Sequence, residues 1–178
     1  SPHSPESATE SQYPLRASIL RLHRTGMTVQ QLSAHFDRNH QAIHNDLSLS
    51  NLLVGSTGAV TGVVDFGDLV LAPRVNELAI AASYFITPRD DPVAAVAEML
   101  AEAAPFVRLT QAELLLLPDL IRARLATRIL LSTWRAGLFP ENAAYILRSN
   151  TAAWALWARL EGEGDMAPHL AALAGETA

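Results

Sequence analysis

The chain has 178 residues, 49% hydrophobic and 17% charged, which is the composition of one folded domain rather than of a disordered tail or a coiled coil. Its 13 Lys and Arg stand against 18 Asp and Glu, a net charge of −5, and this acidic balance argues against a general nucleic-acid binder. There is no cysteine, which excludes disulfides, thiolate metal sites and cysteine nucleophiles, and no apolar run nears the ~18 residues of a membrane span. The polar start, Ser1-Pro2-His3-Ser4-Pro5-Glu6-Ser7, lacks an apolar signal core, so a cytoplasmic protein is expected. The first residue is not Met, which fits a processed product or a fragment.

Residues 1–14, rich in Ser, Pro and Glu, read as a tail or linker. From Leu15 the pattern is helical. Leu15, Ile19 and Leu22 share a face that Gly26 ends, and Thr28 with Gln31 caps a second helix carrying Val29, Leu32 and Phe36. Residues 15–40 thus form a helical segment of helix–turn–helix character. Leu52-Leu53-Val54 and Val60 to Val64 flank Gly55-Ser56-Thr57-Gly58 and read as a β-hairpin.

Beyond Gly67 the expectation is helix. The first covers 76–86, with Leu78, Ala81, Ala82 and Phe85 on one face. Asp91 then caps a helix that opens on Pro92 and runs to about Ala104. Thr110 and Glu113 form a capping box. A helix from about Asp119 to Arg135 sets Ile121, Leu125 and Ile129 opposite Arg124, Arg128 and Arg135. Pro140 opens a last helix to about Leu160, with Trp154 and Trp157 read as core. No internal repeat is visible. The expected fold is α+β, mainly α.

The chemistry concentrates in His44-Asn45-Asp46-Leu47-Ser48-Leu49-Ser50-Asn51 and Val63-Val64-Asp65-Phe66-Gly67-Asp68. An antiparallel hairpin brings Asn51, at the start of its first strand, close to Asp65, at the end of its second. A carboxamide and a carboxylate meeting there are hard oxygen donors suited to Mg²⁺. Asp46, on the same loop as Asn51, is placed to face a hydroxyl near a metal-bound phosphate. Each residue alone reads more plainly as a turn former. The joint pattern, H-x-D-x-x-x-x-N followed by D-F-G, is specific.

These motifs resemble the catalytic and metal-binding segments of the aminoglycoside phosphotransferase/choline kinase superfamily, of protein-kinase-like fold. More narrowly they resemble the hydroxylysine-kinase-type domain associated with class III aminotransferase-like phospho-lyases. Pro73-Arg74-Val75-Asn76-Glu77-Leu78, Ala123-Arg124-Leu125-Ala126-Thr127 and Trp134-Arg135-Ala136 add to the likeness, which covers about residues 41–160. It implies that residues 41–174 form a kinase-like C-terminal lobe with a small hairpin at the catalytic loop. By the resemblance Asp46 is the catalytic base, and Asn51 and Asp65 bind Mg²⁺. His44 braces the loop, Asp68 supports the metal or a cationic substrate, and Glu77 braces the site from the following helix. The implied cofactors are Mg²⁺ and ATP or GTP, and the implied acceptor is a hydroxylysine-like amino alcohol or an aminoglycoside.

Such kinases place a Gly-rich loop and a phosphate-contacting lysine ahead of the catalytic loop. Residues 1–43 contain neither, so the nucleotide lobe is expected to be missing and the isolated chain inactive. Two rivals stand beside this reading. One is a DNA-binding helix–turn–helix within 15–47: Thr28 to Phe36, a turn at Asp37-Arg38-Asn39, and a recognition helix at His40 to Leu47. Arg16, Arg21, Arg24 and Arg38 favour it, and Asp46 at the end of the recognition helix opposes it. The other is a non-catalytic kinase-like remnant, self-associating through the apolar surface the missing lobe leaves open. His35, His40 and His44 lack the His-Glu-x-x-His pattern and read as structural or surface histidines. The arginines at 122, 124, 128 and 135 read as a solvated helix face.

Overall fold

Among the described residues, four short strands pair two by two. The computed structural model describes residues 39–176, with Gln31 and Ala34 ahead of them. Apart from those two positions, the expected tail at 1–14, the helices at Leu15 to Gly26 and Thr28 to Phe36, and the Asp37-Arg38 turn lie outside the described residues. β1 (His40–Ile43) runs antiparallel to β4 (Val70–Pro73), His40 opposite Pro73 and Ile43 opposite Val70. β2 (Leu52–Val54) and β3 (Val60–Val63) form the expected hairpin, Leu52 opposite Val63. Its turn closes through Gly55 N–H to Ala59 O at 2.9 Å and Gly58 N–H to Gly55 O at 3.0 Å, and Gly58 takes φ +83°, a conformation open to glycine.

β1 corrects the nucleic-acid reading. His40 to Leu47 is not a recognition helix, because the backbone of His40–Ile43 is engaged by β4 and Asn45, at φ 66°, breaks any helical path. β4 is a strand that the mostly helical expectation after Gly67 did not include. Its partner lies 30 positions earlier in the chain, a pairing no local pattern announces.

Six α-helices follow among the described residues: α1 (Val75–Phe85), α2 (Pro92–Ala103), α3 (Gln111–Leu138), α4 (Ala143–Ile146), α5 (Asn150–Gly162) and α6 (Ala167–Glu176). The architecture is mainly helical α+β. Asp91 caps α2, its Oδ1 accepting from Val93 N–H at 2.9 Å and Ala94 N–H at 3.0 Å. The Thr110–Glu113 capping box opens α3. The helix expected to begin near Asp119 is in fact continuous with that cap. It runs through Pro118, whose missing N–H leaves one gap in the ladder while its ring is buried. The helix expected from Pro140 to Leu160 is instead a 3₁₀ turn (Pro140–Asn142), α4, and α5 after a break at Leu147-Arg148-Ser149.

α3 is the hub, packed against α1, α4, α5 and α6. Leu117, Ile121, Leu125 and Ile129, four residues apart, put one stripe of α3 into the core. They meet Val75, Ala79 and Ala82 of α1, Leu156 and Leu160 of α5, and Leu170 of α6. Trp157 packs on this core, whereas Trp154, expected there too, is 55% exposed. No helix among the described residues is long and apolar enough to cross a membrane.

Candidate functional site

Two residues take positive φ, Asn45 (66°) after β1 and Asp65 (67°) after β3, and reverse the chain at the two motifs. His44 ties these motifs together. Its Nε2–H donates to Val64 O at 2.8 Å, and its Nδ1 accepts from Asp46 N–H at 3.3 Å. A carbonyl can only accept and an amide can only donate, so these partners select the Nε2-protonated tautomer. Phe66 lies against the same ring, centroids 4.9 Å apart. Glu77, in the first turn of α1, accepts from Asn45 N–H at 3.0 Å through Oε2. The register continues past the hairpin, Val64 N–H donating to Asn51 O at 2.9 Å.

Asn51 is buried, and its Nδ2 donates to Asp46 O at 2.8 Å and Asp46 Oδ2 at 3.3 Å. Both partners are acceptors, so the NH₂ faces them and Oδ1 is left without a protein partner among the described residues. Asp65, next to Val64, is exposed and its carboxylate has no hydrogen bond or ion pair there either. Two unpartnered hard oxygens, one on Asn51 and one on the residue that follows its backbone partner Val64, fit a magnesium ion by donor chemistry. Asp68, in the 3₁₀ turn Phe66–Asp68, is exposed and no bond brings it to the Asp46 loop.

Asp46 Oδ1 accepts from Tyr84 Oη at 3.0 Å and from Arg124 Nη2 at 2.9 Å. The pair is partly shielded, Asp46 side chain 30% and Arg124 23% exposed. Arg128 lies flat on Tyr84, its guanidinium carbon 3.8 Å from the ring centroid, and donates to Ser83 O. Burial raises the Tyr84 pKa, with Asp46 adding to it and Arg124 and Arg128 opposing. Burial also lowers the Arg128 pKa, against the pull of Tyr84 and Asp46.

Of the four arginines expected on a solvated face, only Arg135 is exposed. Arg124 pairs with Asp46, Arg128 lies on Tyr84, and Arg122 is buried, donating to Leu160 O at 2.9 Å and Gly164 O at 3.1 Å. Tyr84, Arg124 and Arg128 are the site residues that the sequence reading missed. The only local sign was the i, i+4 spacing of Arg124 and Arg128, while the acid they serve is 78 positions before Arg124.

Arg74 holds this assembly together. It grips fully buried Glu113 through Nε at 3.1 Å and Nη2 at 3.0 Å, tying the end of β4 to the start of α3. Away from the loop, a hollow of about 480 Å³ between α1 and α2 is lined by Phe85, Ile86, Asp91, Glu98 and Glu102 among others. It shares no residue with the Asp46 cluster.

A family model described as "Phosphotransferase enzyme family" matches residues 7–114, more than half of the chain, and takes in the segment ahead of β1. The chain is 28% identical over 120 residues to hydroxylysine kinase of Xenopus laevis and 27% identical over 119 residues to hydroxylysine kinase of Mus musculus. Each alignment covers 62% of this chain and 32% of the relative, so the chain spans about a third of the length of the curated relatives it matches. No solved structure matches it. The match across the Asp46 loop, Asp65-Phe66-Gly67 and the start of α3 has one conclusion: the chain belongs to the phosphotransferase enzyme family.

Proposed function

We propose that this chain carries the acceptor-activating part of a small-molecule kinase, which transfers a phosphoryl group from ATP or GTP to a hydroxyl of a small amine-containing molecule. Hydroxylysine-like amino alcohols come first as acceptors and aminoglycosides second. The supporting observation is the carboxylate of Asp46. Its Oδ1 is engaged by Tyr84 and Arg124, and Oδ2 meets only the longer Asn51 contact. Oδ2 is thus the oxygen open to an incoming hydroxyl.

In the step proposed, the acceptor oxygen attacks the terminal phosphorus and its proton passes to Asp46 Oδ2. The new O–P bond forms as the bond to the bridging oxygen breaks, and the nucleoside diphosphate leaves. Mg²⁺, when bound, would offset charge on the phosphate oxygens, held by Asn51 Oδ1 and Asp65. His44 and Glu77 keep the loop in register, and Asp68 is the group nearest in sequence to support the ion or a substrate ammonium. All 13 cationic residues are arginine, so the phosphate-contacting lysine of such kinases has no counterpart in this sequence. The proposal therefore includes a nucleotide clamp supplied from outside residues 39–176, an inactive isolated chain, and a cytoplasmic site of action.

The test is Asp46→Asn in the natural full-length protein, assayed for transfer from Mg·ATP to hydroxylysine and to aminoglycosides. A kcat fall of about 10²–10⁴, with a circular dichroism spectrum unchanged, is expected for loss of a general base. Unaltered turnover would remove Asp46 from the mechanism.

A further inference from the structure

Two guanidinium groups lie against the Tyr84 ring, and one of them pairs with the Asp46 carboxylate. Arg124 gives Nη2 to Asp46, while its Nε is buried with no hydrogen-bond partner among the described residues. Arg128 is half-buried on the Tyr84 ring and gives Nη1 to Ser83 O, and no described carboxylate pairs with it. The cluster of Asp46, Arg124 and Arg128 so carries one uncompensated positive charge. A partly desolvated cation without a counterion is costly, and the lowered pKa of Arg128 reflects that cost. An arginine also keeps its charge where a lysine would shed it, and its planar fork matches a carboxylate. Both residues lie beyond 114, the end of the stretch matched by the family model.

We propose that Arg124 and Arg128, set on Tyr84 beside Asp46, form a carboxylate subsite, and that the acceptor is a free amino acid bearing a hydroxyl rather than a polycation. The inference rests on the kinase reading and sharpens it. With its carboxylate on Arg128, the substrate presents its hydroxyl toward Asp46 Oδ2. A polycationic aminoglycoside would instead bring like charge to the two arginines. The shared chemistry is an anion, which could also come from the nucleotide's phosphates, and the test separates the two sources.

In the natural full-length protein, calorimetric titration compares 5-hydroxylysine, the diamino alcohol that lacks its carboxylate, and Mg·ATP. The wild type should bind hydroxylysine at least about tenfold more tightly than the diamino alcohol, and Arg128→Gln should bring that ratio to about one. Arg128→Lys should keep part of the preference, and the Kd of Mg·ATP should move less than about twofold in either variant. Equal binding of the two acceptors by the wild type, a comparison that needs no variant to fold, would overturn the subsite. So would a loss in Arg128→Gln confined to Mg·ATP, which would assign the arginines to phosphate. A clear carboxylate preference without transfer from ATP to any acceptor would instead defeat the kinase reading and leave the subsite standing.

Discussion

Tyr84 donates its hydroxyl to Asp46 Oδ1 and offers its ring face to Arg128, so one side chain orients the acid and supports a cation. Burial, the largest influence on its phenol, raises its pKa above the ordinary value, so the group remains a donor at neutral pH. Tyr84→Phe keeps the ring and removes only the hydroxyl. A neutral donor to a charged acceptor is worth about 1–2 kcal/mol, so kcat should fall about 5- to 30-fold with acceptor KM nearly unchanged. Steady-state kinetics of the full-length protein would show this. A change in KM alone would make the hydroxyl a substrate contact rather than an orienting group for Asp46.

α3 presents Arg124 and Arg128 from one stripe while the stripe of Leu117, Ile121, Leu125 and Ile129 enters the core. Its rotation about its own axis is therefore set by packing, and its start is set by Glu113. Burial opposes the ionised form of Glu113, but hydrogen bonds from Arg74 and Thr110 outweigh it and leave its pKa below the ordinary carboxylate value. The sign follows from linkage. A carboxylate depressed in the fold stabilises it above its unfolded pKa of about 4.3, and that stabilisation is lost as pH falls through the folded value. Thermal melts should show Tm declining between about pH 5 and 3. Glu113→Gln should lower Tm at pH 7, by about 2 kcal/mol of stability, and flatten the acid limb. An equally steep limb in the variant would place the acid sensitivity elsewhere.

Among the described residues, apolar side chains stay exposed on and beside the two small sheets: Leu53, Val54, Val60, Phe66, Leu69 and Leu71 are each at least half exposed. Exposed apolar side chains in such number favour association. On its own, the chain should self-associate at micromolar concentration. Sedimentation velocity would follow a concentration-dependent species, and Val54→Ser with Leu71→Ser should shift it to monomer without changing the helical circular dichroism signal. A monomer at all concentrations would overturn this expectation.

Local chemistry carried much of the design in legible form. Asp91 before Pro92, Thr110 with Glu113, and the glycines at 55 and 58 work within a few residues, so caps and hairpin could be read directly. So could the contact of Asp46 with Asn51, on one loop, and the pairing of Asn51 with Val64, beside Asp65, across the hairpin. β4 was not legible, since its hydrogen bonds go to a strand 30 residues earlier, nor was the helix through Pro118, since burial of the ring in the core overrides the usual break. The arginines show the same limit most clearly. A cation opposite an apolar stripe reads as solvated unless the fold brings an acid to it. Only tertiary packing of α1 and α3 against the Asp46 loop places Tyr84 and Arg124 on Asp46 and Arg128 on Tyr84, because hydrogen bonds and ion pairs act across a few ångströms of space regardless of distance along the chain.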